Sequence, residues 1–207
     1  MSFATGRLES DTRAPLSAYA KSAIAAIVGV TIGLAATWFA TGRDFVFGAA
    51  KSGPWIAWPK TGAQDADPYA RAIIARQAEA PLGNGEGILF VAREDSEGRP
   101  LDGSCEYALE GQMPVARLWT LALYTPQGRM LGAVEGHREI TSADILRSSR
   151  GESAMAVAPS VRAGNWLATA RGKPFALALT LYDASASPTQ TSLEGLSLPG
   201  IRRGECL

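Results

Sequence analysis

Arg117 is the first residue in this chain whose setting asks for chemistry. It lies in Ala116-Arg117-Leu118-Trp119-Thr120-Leu121-Ala122-Leu123-Tyr124, an apolar run that reads as a strand, with Val115 and Trp119 on its own face. A guanidinium buried there needs a carboxylate or several carbonyls, because an unpaired buried charge is costly. A planar, two-pronged donor of this kind suits an anion or carboxylate ligand. The structural alternatives are an ion pair with Glu86, Glu106 or Asp183, or an exposed face at a sheet edge. Glu86 and Glu106 are the carboxylates best placed on strands. Two acids roughly 5–10 Å apart can cleave a glycosidic bond, one as acid and one as base or nucleophile. Two glutamates on strands are more simply solvated.

Gly83-Asn84-Gly85-Glu86-Gly87 has the glycines of a phosphate cradle. It precedes a strand rather than a helix and lacks the P-loop lysine, so it reads as a turn. In Gly164-Asn165-Trp166-Leu167, Asn165 suits a turn and Trp166 suits either the core or a carbohydrate platform. His137 has no serine or cysteine motif beside it, so a catalytic triad has no support. Tyr107, Trp119 and Tyr182 read as core aromatics. Cys105 and Cys206, with one histidine, are too few for a zinc cage, and no CxxC motif occurs. No metal or cofactor is expected.

The elements that must position these residues are mostly strands. GILFVARE, SCEYALE, ARLWTLALY, SAMAVAP and FALALTLYD are short runs divided by turn signals such as Asp102-Gly103 and Pro126-Gln127-Gly128. In SCEYALE, Cys105, Tyr107 and Leu109 share one face, and Glu106 and Glu110 the other. This pattern predicts a mainly β domain, an antiparallel sandwich or jelly roll. Asp67-Pro68 marks a helix start, and Tyr69, Ile73, Ile74 and Ala78 keep helical spacing up to Pro81 and Gly83. Ile140–Arg150 is a candidate second short helix opened by Ser142.

Ser22–Ala40 reads SAIAAIVGVTIGLAATWFA, without charge or proline. As a helix it would be on the order of 28 Å long, close to the ~30 Å hydrocarbon core of a bilayer. Trp38 and Phe39 fall where aromatic side chains favour the interface. Gly29 and Gly33 form a small-xxx-small pair that offers a dimerisation face, although small residues are common in such helices. The rival is a cleaved signal peptide. The long polar lead of residues 1–21, read as a disordered cytoplasmic tail, argues for an anchor instead. Residues 41–65, rich in Gly, Pro and Trp, read as a stalk, and 66–207 as the domain.

Arg7, Arg13 and Lys21 precede the span, while Arg43 and Lys51 follow it, which tilts the N-terminus slightly towards the cytoplasm. Both cysteines lie beyond the span. A Cys105–Cys206 bond would close a loop of ~100 residues and stabilise by roughly 4–5 kcal/mol in an oxidising compartment; the alternative is two separate buried thiols. Lys plus Arg and Asp plus Glu are both 20, so the basic excess of a nucleic-acid binder is absent.

Several short stretches in order carry a family resemblance: Asp67-Pro68-Tyr69-Ala70-Arg71, Leu82-Gly83-Asn84-Gly85-Glu86-Gly87, Asp95-Ser96 and Leu101…Gly103…Cys105…Tyr107. They continue through Ala116–Leu121, Gly164-Asn165-Trp166-Leu167, Leu181-Tyr182-Asp183 and Leu198-Pro199…Ile201…Cys206. Over residues 65–207 the chain resembles the bacterial DUF1214 family. The resemblance implies a β-sandwich found behind one N-terminal helix or after a DUF1254 domain, and it carries over no catalytic residue. Ala168 stands where that family usually has proline, and Thr180 where it usually has arginine.

The reading is an anchored, mainly β domain on the periplasmic face of a bacterial cytoplasmic membrane. It would bind a protein or glycan partner, with Arg117, Glu86, Glu106, Asn165 and Trp166 as candidate contacts. The alternative is an envelope hydrolase or lyase acting through Arg117 with Glu86 or Glu106.

Overall fold

A computed structural model of the chain describes residues 16–40, 48–59, 62–63, 66, 68–77, 82–83, 85–131, 137–147, 154–184, 193 and 195–206. Asp67, Pro81, Asn84 and the tail before residue 16 lie outside them. The chain divides into two compact units, Met1–Phe45 and Val46–Leu207.

In the first unit, α1 spans Leu16–Ala40. It begins inside the stretch expected to be a disordered tail, because Leu16–Lys21 holds no glycine or proline and extends the helix. Ala18–Ala40 is long and apolar enough to cross a membrane, with mean hydropathy 2.0. Its large apolar side chains from Ile24 to Phe39 are each 50–79% exposed. Its two threonine hydroxyls are satisfied within the helix. Thr31 Oγ1 donates to the Ile27 carbonyl at 2.8 Å, and Thr37 Oγ1 to the Gly33 carbonyl at 2.9 Å. A helix in lipid requires that kind of self-sufficiency.

The second unit is a two-sheet sandwich. Its strands are β1 Ala50–Ser52, β2 Trp55–Ala57, β3 Gly87–Ala92, β4 Cys105–Glu110, β5 Ala116–Tyr124, β6 Glu139–Thr141, β7 Met155–Ala158, β8 Asn165–Ala168, β9 Ala176–Ala184 and β10 Gly200–Cys206. A helix, α2, spans Pro68–Gln77. One sheet has the order β1-β2-β3-β9-β5-β6, the other β10-β4-β7-β8. All pairs are antiparallel except β7–β8, which run parallel and align Ala156 with Trp166. The parallel pair departs from the all-antiparallel expectation. A loop from Pro159 to Gly164 turns the chain back so that β8 runs alongside β7 in the same direction.

The two sheets share one core. Phe90, Leu121, Leu123, Leu177, Leu179 and Leu181 from the larger sheet meet Tyr107, Leu109, Val157, Leu167 and Ile201 from the smaller, each at most 2% exposed. β9 is central, between β3 and β5. Ala176 and Ala178, on its other face, are also buried. This is why FALALTLYD reads as a continuous apolar run. Tyr107 anchors the far side. Its ring meets Phe175 edge-on at 5.6 Å, and its hydroxyl accepts from the Asp102 amide at 2.8 Å.

Two further segments differ from the sequence expectation. Residues 50–57, within the expected stalk, form β1 and β2 and join the larger sheet through β2–β3. Trp55 is wholly buried and donates its indole N–H to the Pro199 carbonyl at 2.7 Å. The strands are too short for periodicity to reveal. Ile140–Arg147 is not helical: β6 ends at Thr141 and a turn follows through Asp144. The sequence signal at Ser142 is a turn signal, and its hydroxyl accepts from the Trp119 amide at 3.3 Å.

Candidate functional site

Arg117 is not buried. β5 carries it beyond the core, where Val115 is 85% exposed and the Arg117 side chain 82% exposed. Burial begins at Trp119. Across the sheet from Arg117 stands Asp183, and the guanidinium lies 3.8 Å from its carboxylate. Asp183 has φ +48°, the left-handed region that aspartate tolerates better than most residues. Its backbone N–H donates to the Glu86 carbonyl at 3.1 Å. Between Ala116↔Ala184 and Leu118↔Tyr182 the β5–β9 register leaves this rung unpaired.

Glu86, Arg117 and Asp183 line one open concavity of about 550 Å³, with Gly85, Leu118 and Tyr182. Gly87 beside it admits no side chain, because a Cβ there would run into the Leu181 carbonyl. Glu86 also closes its own turn: its carboxylate accepts from the Gly83 amide at 3.1 Å. Tyr182, expected in the core, lines this concavity half-buried instead. The concavity thus gathers one cation, two carboxylates and a phenol on an exposed sheet end. Screened, exposed charges of this kind attract weakly.

Glu106 does not join this group. It sits on β4 in the other sheet and is ion-paired with Arg162. The two-carboxylate arrangement of Glu86 with Glu106 is therefore not assembled, since period-2 alternation turns Glu106 to the outer face of the smaller sheet. Asn165 is fully occupied as a brace. Its Oδ1 accepts from the Leu146 amide at 2.7 Å, and its Nδ2 donates to the Leu146 and Ala154 carbonyls at 2.8 and 3.0 Å. Trp166 is half-buried on the outer face, while neighbouring Leu167 fills the core. Its Nε1 donates to the Ala158 carbonyl at 3.1 Å. His137 is exposed, and its carbonyl accepts from the Ala168 amide at 2.7 Å.

Sequence reasoning missed Asp95 as more than a turn residue. Its buried Oδ1 accepts from the Glu97 and Arg99 amides at 2.9 and 3.0 Å, and its Oδ2 from Arg99 Nε at 2.8 Å. Burial alone pushes this carboxyl's pKa up, but the Arg99 and Glu97 donors outweigh it and hold it below the usual value. Next to it, Ser96 caps the edge strand β10: its N–H donates to the Ile201 carbonyl and its hydroxyl accepts from the Ile201 amide. Such a cap blunts an exposed edge. An Asp-Ser-x-Gly turn signal marks the bend and says nothing of the strand it caps.

Cys105 and Cys206 are bonded, with Sγ–Sγ 1.96 Å, and neither is free. With the sandwich, the disulfide and this strand order established, the sequence match becomes meaningful. Residues 86–186 match the family described as "Protein of unknown function (DUF1214)". Over those residues the chain is similar to the DUF1214 family. No curated protein matches its sequence. The fold is similar to that of the VPA0106 protein from Vibrio parahaemolyticus, with TM-score 0.55 and 19% identity over 68% of this chain and 36% of that one. An uncharacterised protein from Burkholderia cenocepacia aligns at TM-score 0.45 and 13% identity, over 57% of this chain and 30% of that one. The chain thus spans about a third of the length of these solved relatives. At such identity the likeness of the Vibrio protein supports the fold alone.

Proposed function

We propose that this chain is a membrane-anchored binding module of the bacterial cell envelope, with its DUF1214-like domain on the periplasmic side. The observation that carries this reading is an apolar helix, Leu16–Ala40, whose large side chains from Ile24 to Phe39 are exposed, ahead in sequence of a second compact unit closed by the Cys105–Cys206 bond. A side-chain surface that apolar needs lipid around it. A disulfide between strands persists where the compartment oxidises. Binding is favoured over hydrolysis because the candidate side chains are tied to one another or to backbone, and Glu86, in the turn before β3 of the larger sheet, is apart from Glu106 on β4 of the smaller.

The test uses the full chain in a Gram-negative host. It should stay in the membrane fraction after alkaline extraction, and protease added to spheroplasts should degrade the domain. Release as a shortened soluble species would identify α1 as a cleaved signal. Protection from protease would overturn the orientation. Turnover of an envelope glycan or ester that one point substitution abolishes would overturn the binding reading.

A further inference from the structure

We infer that the outer face of the four-stranded sheet is a platform for a neutral, β-linked oligosaccharide. This rests on the binding-module reading and names its ligand class. The ladder register sets Arg202 opposite Ala108, Ala108 opposite Ala156, and Ala156 opposite Trp166. One row of side chains therefore crosses all four strands. Neighbouring strands are about 4.8 Å apart, so the row spans roughly 14 Å from the arginine to the tryptophan.

The row faces outward. Its sequence neighbours Tyr107, Leu109, Val157, Leu167 and Ile201 are buried in the core, and alternation sends Ala108, Ala156, Trp166 and Arg202 the other way. Two alanines floor the centre, and larger groups stand at both ends. Gly204 adds no side chain near Glu106. Two ion pairs flank the floor on the same face, Glu106 with Arg162 and Glu110 with Arg202.

Each feature selects the same ligand. The Trp166 indole is held by its bond to the Ala158 carbonyl and remains partly exposed. The face of an indole is electron-rich and attracts the C–H groups along one side of a pyranose ring. Each arginine already has a carboxylate partner, so the face offers hydrogen-bond donors and acceptors without a net charge. A charged ligand would have to break a pair to gain one; hydroxyl groups can bridge the pairs as they stand. A β-linked chain is a flat ribbon with its C–H faces exposed, which suits a sheet surface floored by alanine.

The test titrates chitotetraose and cellotetraose into the full chain, solubilised in a detergent without a sugar headgroup, by calorimetry and tryptophan fluorescence. Saturable binding is expected at or below about 1 mM. Trp166→Ala should weaken it at least about tenfold. Ala156→Arg fills the floor without touching the indole's hydrogen bond, and should weaken it similarly with thermal unfolding unchanged. If Trp166→Ala unfolds, the Ala156→Arg result decides. No saturable binding of either sugar, or equal binding by the folded Ala156→Arg variant, overturns the inference. That failure leaves the protease and extraction results standing, so it removes the ligand class and not the anchored module.

Discussion

Cys105 and Cys206 face each other as a rung of the β4–β10 ladder, bonded across 101 residues of sequence. The bond ties the last strand to the interior of the smaller sheet. Cys105 is 4% exposed and Cys206 lies at the surface. Loop-closure entropy for ~100 residues gives roughly 4–5 kcal/mol of stabilisation, reduced by any native strain. Cys105→Ala/Cys206→Ala protein is expected to unfold at markedly lower denaturant concentration than the parent, with a similar slope. A thiol-reactive probe should label the unfolded parent only after reduction. Labelling before reduction, in protein from an oxidising compartment, would contradict the bond.

Asp95 should make the domain acid-sensitive. Its folded pKa lies below the unfolded value near 3.8, so its ionised form is favoured in the folded state. The sign follows: this contribution is fully present above the unfolded pKa and is lost as pH falls through the folded one. Asp95→Asn should flatten the acid limb of the stability curve. It should also cost about 1–3 kcal/mol at neutral pH, because buried amides lose a charged acceptor.

Asn165 predicts a local effect. Asn165→Ala removes all three side-chain hydrogen bonds to Leu146 and Ala154. A loss of about 1–3 kcal/mol is expected. Hydrogen exchange at the Leu146 amide should accelerate by more than the average of the domain. Uniform acceleration would mean the brace acts only through global stability.

Asp183 and Arg117 should behave differently despite their pairing. Arg117→Ala breaks an exposed pair and is expected to change stability by less than about 1 kcal/mol. Asp183→Val forces a β-branched residue to φ +48° and should destabilise by about 1–2 kcal/mol; Asp183→Gly should not. Equal stability of the valine and glycine variants in thermal melts would show that the backbone relaxes there.

Much of the fold was legible because alternation is a direct imprint of a half-buried sheet. GILFVARE, SCEYALE, ARLWTLALY, SAMAVAP and FALALTLYD fall on β3, β4, β5, β7 and β9. The facing of Cys105, Tyr107 and Leu109 against Glu106 and Glu110 follows the same rule. β1 and β2 were not legible: each is three residues long, and Trp55 and Pro59 look equally apt for a stalk. β10 was hidden too, since Arg202, Arg203 and Gly204 carry little of the apolar alternation of a strand.

The sequence by itself determined that a charge-free apolar span precedes a mainly β domain, and which side of several strands is apolar. Those properties are local: length, charge and period-2 order are written along the chain. Tertiary structure alone decided that Arg117 is exposed beside Asp183, that Glu106 answers Arg162 rather than Glu86, and that Trp166 shares a row with Arg202. Those are matters of strand order and register between segments far apart in sequence. No single stretch encodes them, because each depends on which neighbour a strand finds.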